Sequence, residues 1–191
     1  FGARTQAIAD AAGVNKALVH YYYRTKEKLY SQVLRRSAKR LLNRVSEAWQ
    51  SEAPVTARLE KVIDAYLDNI SQYPNIPKIM LREIIDGGDR LRKSFGETES
   101  DPPEEFGFTP GFLIKGFGRD LGLSQTEAVH FLVSLMGMCV ASFMSPVMLE
   151  TVVKYSVPDF DSFLNERRAS IKAVALAYVG SRLAKPVRSK A

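Results

Sequence analysis

Residues 5–29 read TQAIADAAGVNKALVHYYYRTKEKL, and their spacing predicts two short helices crossing at a tight turn. Thr5 stands as N-cap of a first helix over Gln6 to Ala12, and Asn15 as N-cap of a second over Lys16 to about Tyr22. Short oxygen-bearing side chains suit those positions because they accept from the free amides of a first helical turn. Gly13 lies between the helices, where so short a turn needs a positive φ that glycine reaches without steric cost. Ile8 and Ala12 then share a face of the first helix, and Val19 and Tyr22 are expected to face inward on the second. Ala9 is small where a larger side chain would hold the two helices apart. The unit reads as a helix-turn-helix, with an ordinary helical corner as the alternative.

The continuation favours the first reading. Thr25 and the charged residues Lys26, Glu27 and Lys28 form a new helix start that leads into a long amphipathic pattern. The stretch GVNKALVHYYYRTKEKLY, residues 13–30, resembles the end of the DNA-binding domain of TetR-family transcriptional regulators. That family has a Gly-Val turn, a recognition helix ending in aromatics and a Ser/Thr-Lys-Glu start to the next helix. The specific resemblance covers about thirty residues; the remainder is similar to the family in helical character and length. Family members have a further helix before this point, so the native protein is expected to extend N-terminally by several turns. Short helices alone would also struggle to bury Ile8, Val19 and Tyr22.

Charge is distributed unevenly along the 191 residues. Residues 1–50 hold ten Lys/Arg and three Asp/Glu, a net of +7, whereas the rest hold seventeen and eighteen, a net of −1. A basic end of that kind suits neutralisation of phosphates. Arg35, Arg36, Lys39, Arg40 and Arg44 lie farther along the long helix, where a solvated face is the simpler reading. Cys139 is the single cysteine, which excludes an internal disulfide. No apolar run approaches a membrane span without polar interruption: Ala128 to Leu149 carries His130, Ser134, Ser142, Ser145 and Pro146, and reads as a buried helix. A cytoplasmic location without membrane contact is therefore expected.

The pattern beyond is helical throughout, giving an all-α fold. Lys26 to about Ser51 forms one helix of about seven turns, Thr56 to Gln72 another, and Lys78 to Asp86 a third stopped by Gly87-Gly88. Residues 96–111, rich in acids, proline and glycine, read as a surface loop. Phe112 to Leu121 is a short helix; Ser124 to Glu127 has capping-box spacing and opens a long one to about Phe143 or beyond. The last helix, about Ser162 to Leu183, precedes a short basic tail from Lys185 to Ala191. Ser134, Gly137 or Met138, Ala141 and Ser145 form one stripe of mostly small residues, and Ala169, Ala173, Ala177 and Gly180 another. The resemblance implies that two such helices build a four-helix homodimer interface with their symmetry mates; packing within one chain is the alternative. Residues 1–30 are assigned to a DNA-binding domain, incomplete at its N-terminus, and residues 31–191 to an effector-binding and dimerisation domain.

With Val19 and Tyr22 inward, Lys16, Ala17, His20 and Tyr21 face the major groove. Lysine can donate to guanine O6/N7, and an alanine methyl can meet a thymine methyl. The resemblance adds Gln6 as a base-edge contact and puts Thr5, His20 and Lys26 at phosphate positions, although the family commonly has tyrosine where His20 stands. In the body, Tyr66, Phe112, Phe117, His130, Phe131 and Met138 are candidates for an effector pocket, drawn from a Phe- and Met-rich set that also includes Phe95, Phe106 and Phe108. Ordinary core is the competing role for each. No phosphate loop, no HExxH or CxxC metal spacing and no paired histidines occur, so neither enzyme activity, metal nor cofactor is expected. The expected function is a DNA-binding transcriptional regulator, more specifically a ligand-responsive repressor. It would bind a near-palindromic duplex operator as a homodimer and respond to an apolar or amphipathic small molecule. The alternative is a helical protein- or ligand-binding module that does not read DNA sequence.

Overall fold

The computed structural model describes residues 4–95 and 111–183, and among these all regular structure is helical. In chain order the helices are α1 (Thr5–Ala11), α2 (Lys16–Tyr23), α3 (Lys26–Gln50), α4 (Val55–Gln72), α5 (Asn75–Ile85), α6 (Asp89–Phe95), α7 (Gly111–Leu121), α8 (Gln125–Met148) and α9 (Phe160–Leu183). A π-helical turn, Leu149–Val153, follows α8. The acidic segment up to residue 110, the basic tail, Phe106, Phe108 and the side chain of Phe95 lie outside the described residues.

The chain separates into two compact units, one of Phe1–Ala38 with Lys78–Pro102 and the other of Lys39–Pro77 with Pro103–Ala191. Most of α5, together with α6, groups with the helix-turn-helix, and long-range side-chain bonds give the reason. Tyr30 on α3 donates through its hydroxyl to Glu83 Oε1 on α5 at 2.8 Å, and Arg90 Nη1 on α6 reaches the same oxygen at 3.1 Å. α5 also starts a turn earlier than its prolines suggest. Pro77 sits in its first turn, where a missing N–H breaks no intrahelical bond.

The second unit holds the main core. α4 buries Leu59, Val62, Ile63, Leu67 and Ile70 at helical spacing and packs against α8 and α9. Trp49 at the end of α3 meets Phe117 of α7 edge-on at 4.9 Å, and Phe117 meets Phe131 of α8 at 5.2 Å. Ser124 and Glu127 complete the expected capping box, with Ser124 Oγ accepting from the Glu127 amide at 3.3 Å and Glu127 Oε2 from the Ser124 amide at 2.9 Å. Polar pairs fasten the rim: Arg168 of α9 reaches Asp64 of α4 at 2.8 Å, as does Lys172, and Arg58 of α4 reaches Asp120 of α7 at 2.9 Å. Arg40 and Arg44 are likewise engaged within this unit. The Arg40 guanidinium lies 4.2 Å from the centroid of the Tyr73 ring, and Arg44 donates to Gln72 at 3.2 Å, both at the C-terminal end of α4.

α8 and α9 are apolar on two sides. Their inward faces enter the core, while Ser134, Gly137 and Ala141 on α8 and Ala169, Ala173, Ala177 and Gly180 on α9 are all exposed in the single chain. Met138 and Ser145 are half-buried. A broader exposed stripe runs beside the small residues of α8, through Val129, Val133, Met136, Met144 and Val147.

Candidate nucleic-acid interface

The helix-turn-helix is built by short-range bonds. Gly13 adopts φ +65°, and around it the Gly13 amide donates to the Asp10 carbonyl at 3.1 Å and the Val14 amide to the Ala9 carbonyl at 3.0 Å. Asn15 caps α2 as expected, its Oδ1 accepting from the Ala17 amide at 2.8 Å. Ala9 is fully buried, and Val19 and Leu34 are the other buried apolar side chains of this unit among the described residues.

Three local expectations are corrected. Thr5 is the first residue of α1 rather than its cap; Arg4 occupies the cap position and makes no side-chain cap bond. Ala12 is exposed rather than buried, and Tyr22, expected inward, is 69% exposed. The Tyr22 ring packs edge-on against Tyr21 at 5.3 Å, so the end of α2 presents two adjacent aromatic rings to solvent. Val19 is the buried side chain of α2, with Tyr23 half-buried.

Lys16, Ala17, His20 and Tyr21 are all exposed. Lys16 and His20, and Ala17 and Tyr21, are each four residues apart, so the four occupy one face of α2. Gln6 is exposed on α1, and its side-chain amide donates to Asp10 Oδ1 at 2.7 Å, leaving its second N–H and its carbonyl oxygen available. Thr5 is half-buried and Lys26 is exposed at the first position of α3. Thr25 caps that helix, its Oγ1 accepting from the Lys28 amide at 3.1 Å, which leaves Lys26 beside a helix N-terminus, a favourable setting for an anion. Arg24, absent from the sequence-based set, joins α2 to α3 at φ +59°, an uncommon conformation for a non-glycine residue, and its guanidinium lies 5.7 Å from the Tyr21 ring centroid. Its place between a recognition helix and the next helix start was the available signal. Among residues 4–30, Arg4, Lys16, Arg24, Lys26 and Lys28 face only Asp10 and Glu27 as acids, so the surface carries a net positive charge.

Residues 2–33 match the family model of bacterial regulatory proteins, tetR family. By this N-terminal segment the chain is similar to the DNA-binding regulators of that family. It is also similar to the HTH-type transcriptional regulator RutR of Escherichia coli O157:H7, 28% identical over 116 residues, which are 60% of this chain and 54% of that protein. Similarity to the nucleoid occlusion factor SlmA of Marinomonas sp. (strain MWYL1) is 28% over 94 residues, 48% of each chain. The chain thus spans about half the length of the curated relatives it matches.

In the second unit a cavity of about 70 Å³ lies among α3, α4, α7 and α8. Leu41, Leu42, Val45, Val62, Ile63, Leu113, Leu132, Leu135 and Met136 line it, with Tyr66 and Cys139 as the side chains bearing polar atoms. Burial pushes the Tyr66 phenol above its ordinary range and the Cys139 thiol up to about 12, so both are neutral hydrogen-bonding groups at physiological pH. Of the six sequence-based pocket candidates, only Tyr66 lines this cavity. Phe117 and Phe131 are core, and Phe131 stacks on Tyr178 of α9 at 5.0 Å. Phe112 and Met138 pack against the core from outside, and His130 is exposed. Apart from Tyr66, the candidate aromatic rings pack in or against the core, and the rest of the cavity wall is mostly aliphatic.

Proposed function

We propose that this protein is a DNA-binding transcriptional regulator of the cytoplasm that reads a near-palindromic operator as a homodimer. The observation that carries this reading is the capped helix α2 within a tetR-type helix-turn-helix, presenting Lys16, Ala17, His20 and Tyr21 on one exposed face. A helix presented this way fits the major groove, with its polar side chains at base edges and Lys26 and Thr5 at flanking phosphates. Gln6 is assigned a base-edge contact through its remaining amide groups.

A homodimer is favoured by the two exposed stripes of α8 and α9. Small side chains let helices approach closely, and an apolar face left open on a single chain is energetically costly in water. A second copy would present the same stripes, so a twofold four-helix contact buries both at once. Two heads then address successive half-sites. The apolar cavity supports control by an uncharged, largely apolar small molecule, and repression is the sign of regulation the family resemblance implies.

The test is enrichment of a randomised duplex library by the full-length protein at two salt concentrations. An enriched palindrome supports a dimeric operator reader. Salt-sensitive binding without enrichment reduces the reading to a basic DNA-associating protein. No binding turns it toward a helical module for protein or ligand, the alternative that the basic head disfavours.

A further inference from the structure

Glu83 is the only buried carboxylate among the described residues, with 4% of its side chain exposed. A carboxylate taken out of water is costly unless partners satisfy it. Here two do, and each comes from a different helix. Tyr30 of α3 donates its hydroxyl at 2.8 Å, and Arg90 of α6 its Nη1 at 3.1 Å. The backbone brings them together. Gly87 and Gly88 adopt φ +99° and +76°, and the Gly88 amide donates to the Glu83 carbonyl at 2.7 Å, closing α5 and turning the chain so that α6 starts beside it. Tyr30 lies four residues after Lys26, on the same face of α3. The bond therefore grips α3 one turn beyond the residue assigned to a phosphate.

We infer that Tyr30 and Glu83 are positioning residues for DNA binding: their hydrogen bond pins the first turns of α3 to the α5–α6 corner and thereby holds Lys26 where a phosphate passes. The inference depends on the DNA-binding reading above. A buried charged cluster contributes little stability relative to an apolar replacement, whereas its hydrogen bonds are directional; what it supplies is register. Leu34, one turn farther along α3, is buried and holds the helix in the unit, while the Tyr30 hydroxyl adds a directional bond.

The experiment measures affinity of the full-length protein for a mixed-sequence duplex of about three helical turns, across a salt series, for wild type, Tyr30→Phe, Glu83→Gln and Glu83→Leu. Tyr30→Phe keeps the ring and removes the donor; affinity is expected to fall about tenfold. The plot of log affinity against log salt should become shallower by about one unit for each displaced Lys26. A merely stabilising role would reduce the folded fraction and leave that slope unchanged. Glu83→Gln keeps an oxygen for Tyr30 and is expected to retain the wild-type slope, while Glu83→Leu is expected to behave like Tyr30→Phe. Wild-type affinity and slope in Tyr30→Phe overturn this inference alone, as does a slope in Glu83→Gln as shallow as in Glu83→Leu. A wild-type protein that binds no duplex overturns this inference and the DNA-binding reading together.

Discussion

Replacing Gly116 with alanine tests how α7 is seated on the end of α3. A Cβ at this position would stand 2.3 Å from Trp49 Nε1 and 3.1 Å from Cδ1 and Cε2. An ordinary carbon contact is about 3.5 Å, so the indole or α7 has to retreat by roughly 1 Å. Neither has room. Trp49 is 2% exposed, its ring meets Phe117 at 4.9 Å, and the Arg58 guanidinium, held by Asp120, covers it at 4.8 Å. Overpacking of this kind costs about 1–3 kcal/mol, and the rigid neighbours put the substitution at the upper end. Alanine returns about 1 kcal/mol of helix propensity relative to glycine, leaving a net loss of about 2 kcal/mol. For a chain of this size that is a fall in Tm of about 4–8 °C at fixed protein concentration. Because Trp49 is the single tryptophan, its emission during thermal unfolding reports on the perturbed residue itself. A Tm equal to or above wild type would refute the packing of α7 against Trp49.

Three further outcomes are expected. Lys26→Ala should weaken binding to every duplex sequence and reduce the log–log salt slope by about 0.9 for each lost phosphate contact, whereas Lys16→Ala should relax preference at one base position per half-site at a cost of about 1–3 kcal/mol; binding isotherms and library enrichment separate the two, and unchanged binding in both variants would mean that α2 is not the reading helix. Ala173→Glu together with Ala177→Glu should yield monomers by sedimentation, because each unpaired carboxylate brought into an interface costs several kcal/mol; a persistent dimer would remove the α9 stripe from that interface. Hydrogen bonds from Arg119, then Arg58, hold the Asp120 carboxyl below its usual range against the opposing effect of burial, and Asp64 is also held low, where burial is outweighed by Lys172 and Arg168. Both folded pKa values lie below the unfolded one, so the contribution is present above about pH 4 and is lost as pH falls through the folded values. Resistance to urea should therefore weaken below about pH 4, and Asp64→Asn should flatten that dependence; a parallel decline in the variant would count against the assignment.

What could be read from the sequence was what is decided within a few residues. Asn15, Thr25 and the Ser124–Glu127 box each satisfy amides of their own turn, Gly13 takes the positive φ its turn needs, and all four occur as expected. Helix periodicity also located α3, α4 and α7 to within a residue or two. Periodicity was less informative where a helix has two apolar faces. On α8 it drew attention to the small residues, while Val129, Val133, Met136, Met144 and Val147 recur at comparable spacing and are just as exposed. Tyr22 was assigned inward from its three-residue step after Val19, but α2 ends one residue later and nothing covers it among the described residues. Glu83 and Tyr30 are 53 residues apart, and a pairing that distant leaves no local pattern. Of the cavity wall, Tyr66 was named from the sequence, while most of the remaining lining consists of the aliphatic residues any core would use.

That cavity sets a condition on any ligand. A ligand shifts a conformational equilibrium only by the difference between its affinities for the two states. At about 70 Å³ the space is well below the roughly 300–1,000 Å³ typical of small-molecule sites, so a molecule of ordinary effector size has to part its walls. The lining presents only apolar surface, that of Tyr66 and Cys139 included, so a charged group placed inside would be desolvated without compensation. An occupant that fits this chemistry is uncharged where it is buried. Leu41, Leu42 and Val45 of the wall belong to the same uninterrupted helix as Tyr30 and Lys26. A molecule small enough to enter without moving that wall would bind both states alike and regulate nothing, however tightly it bound.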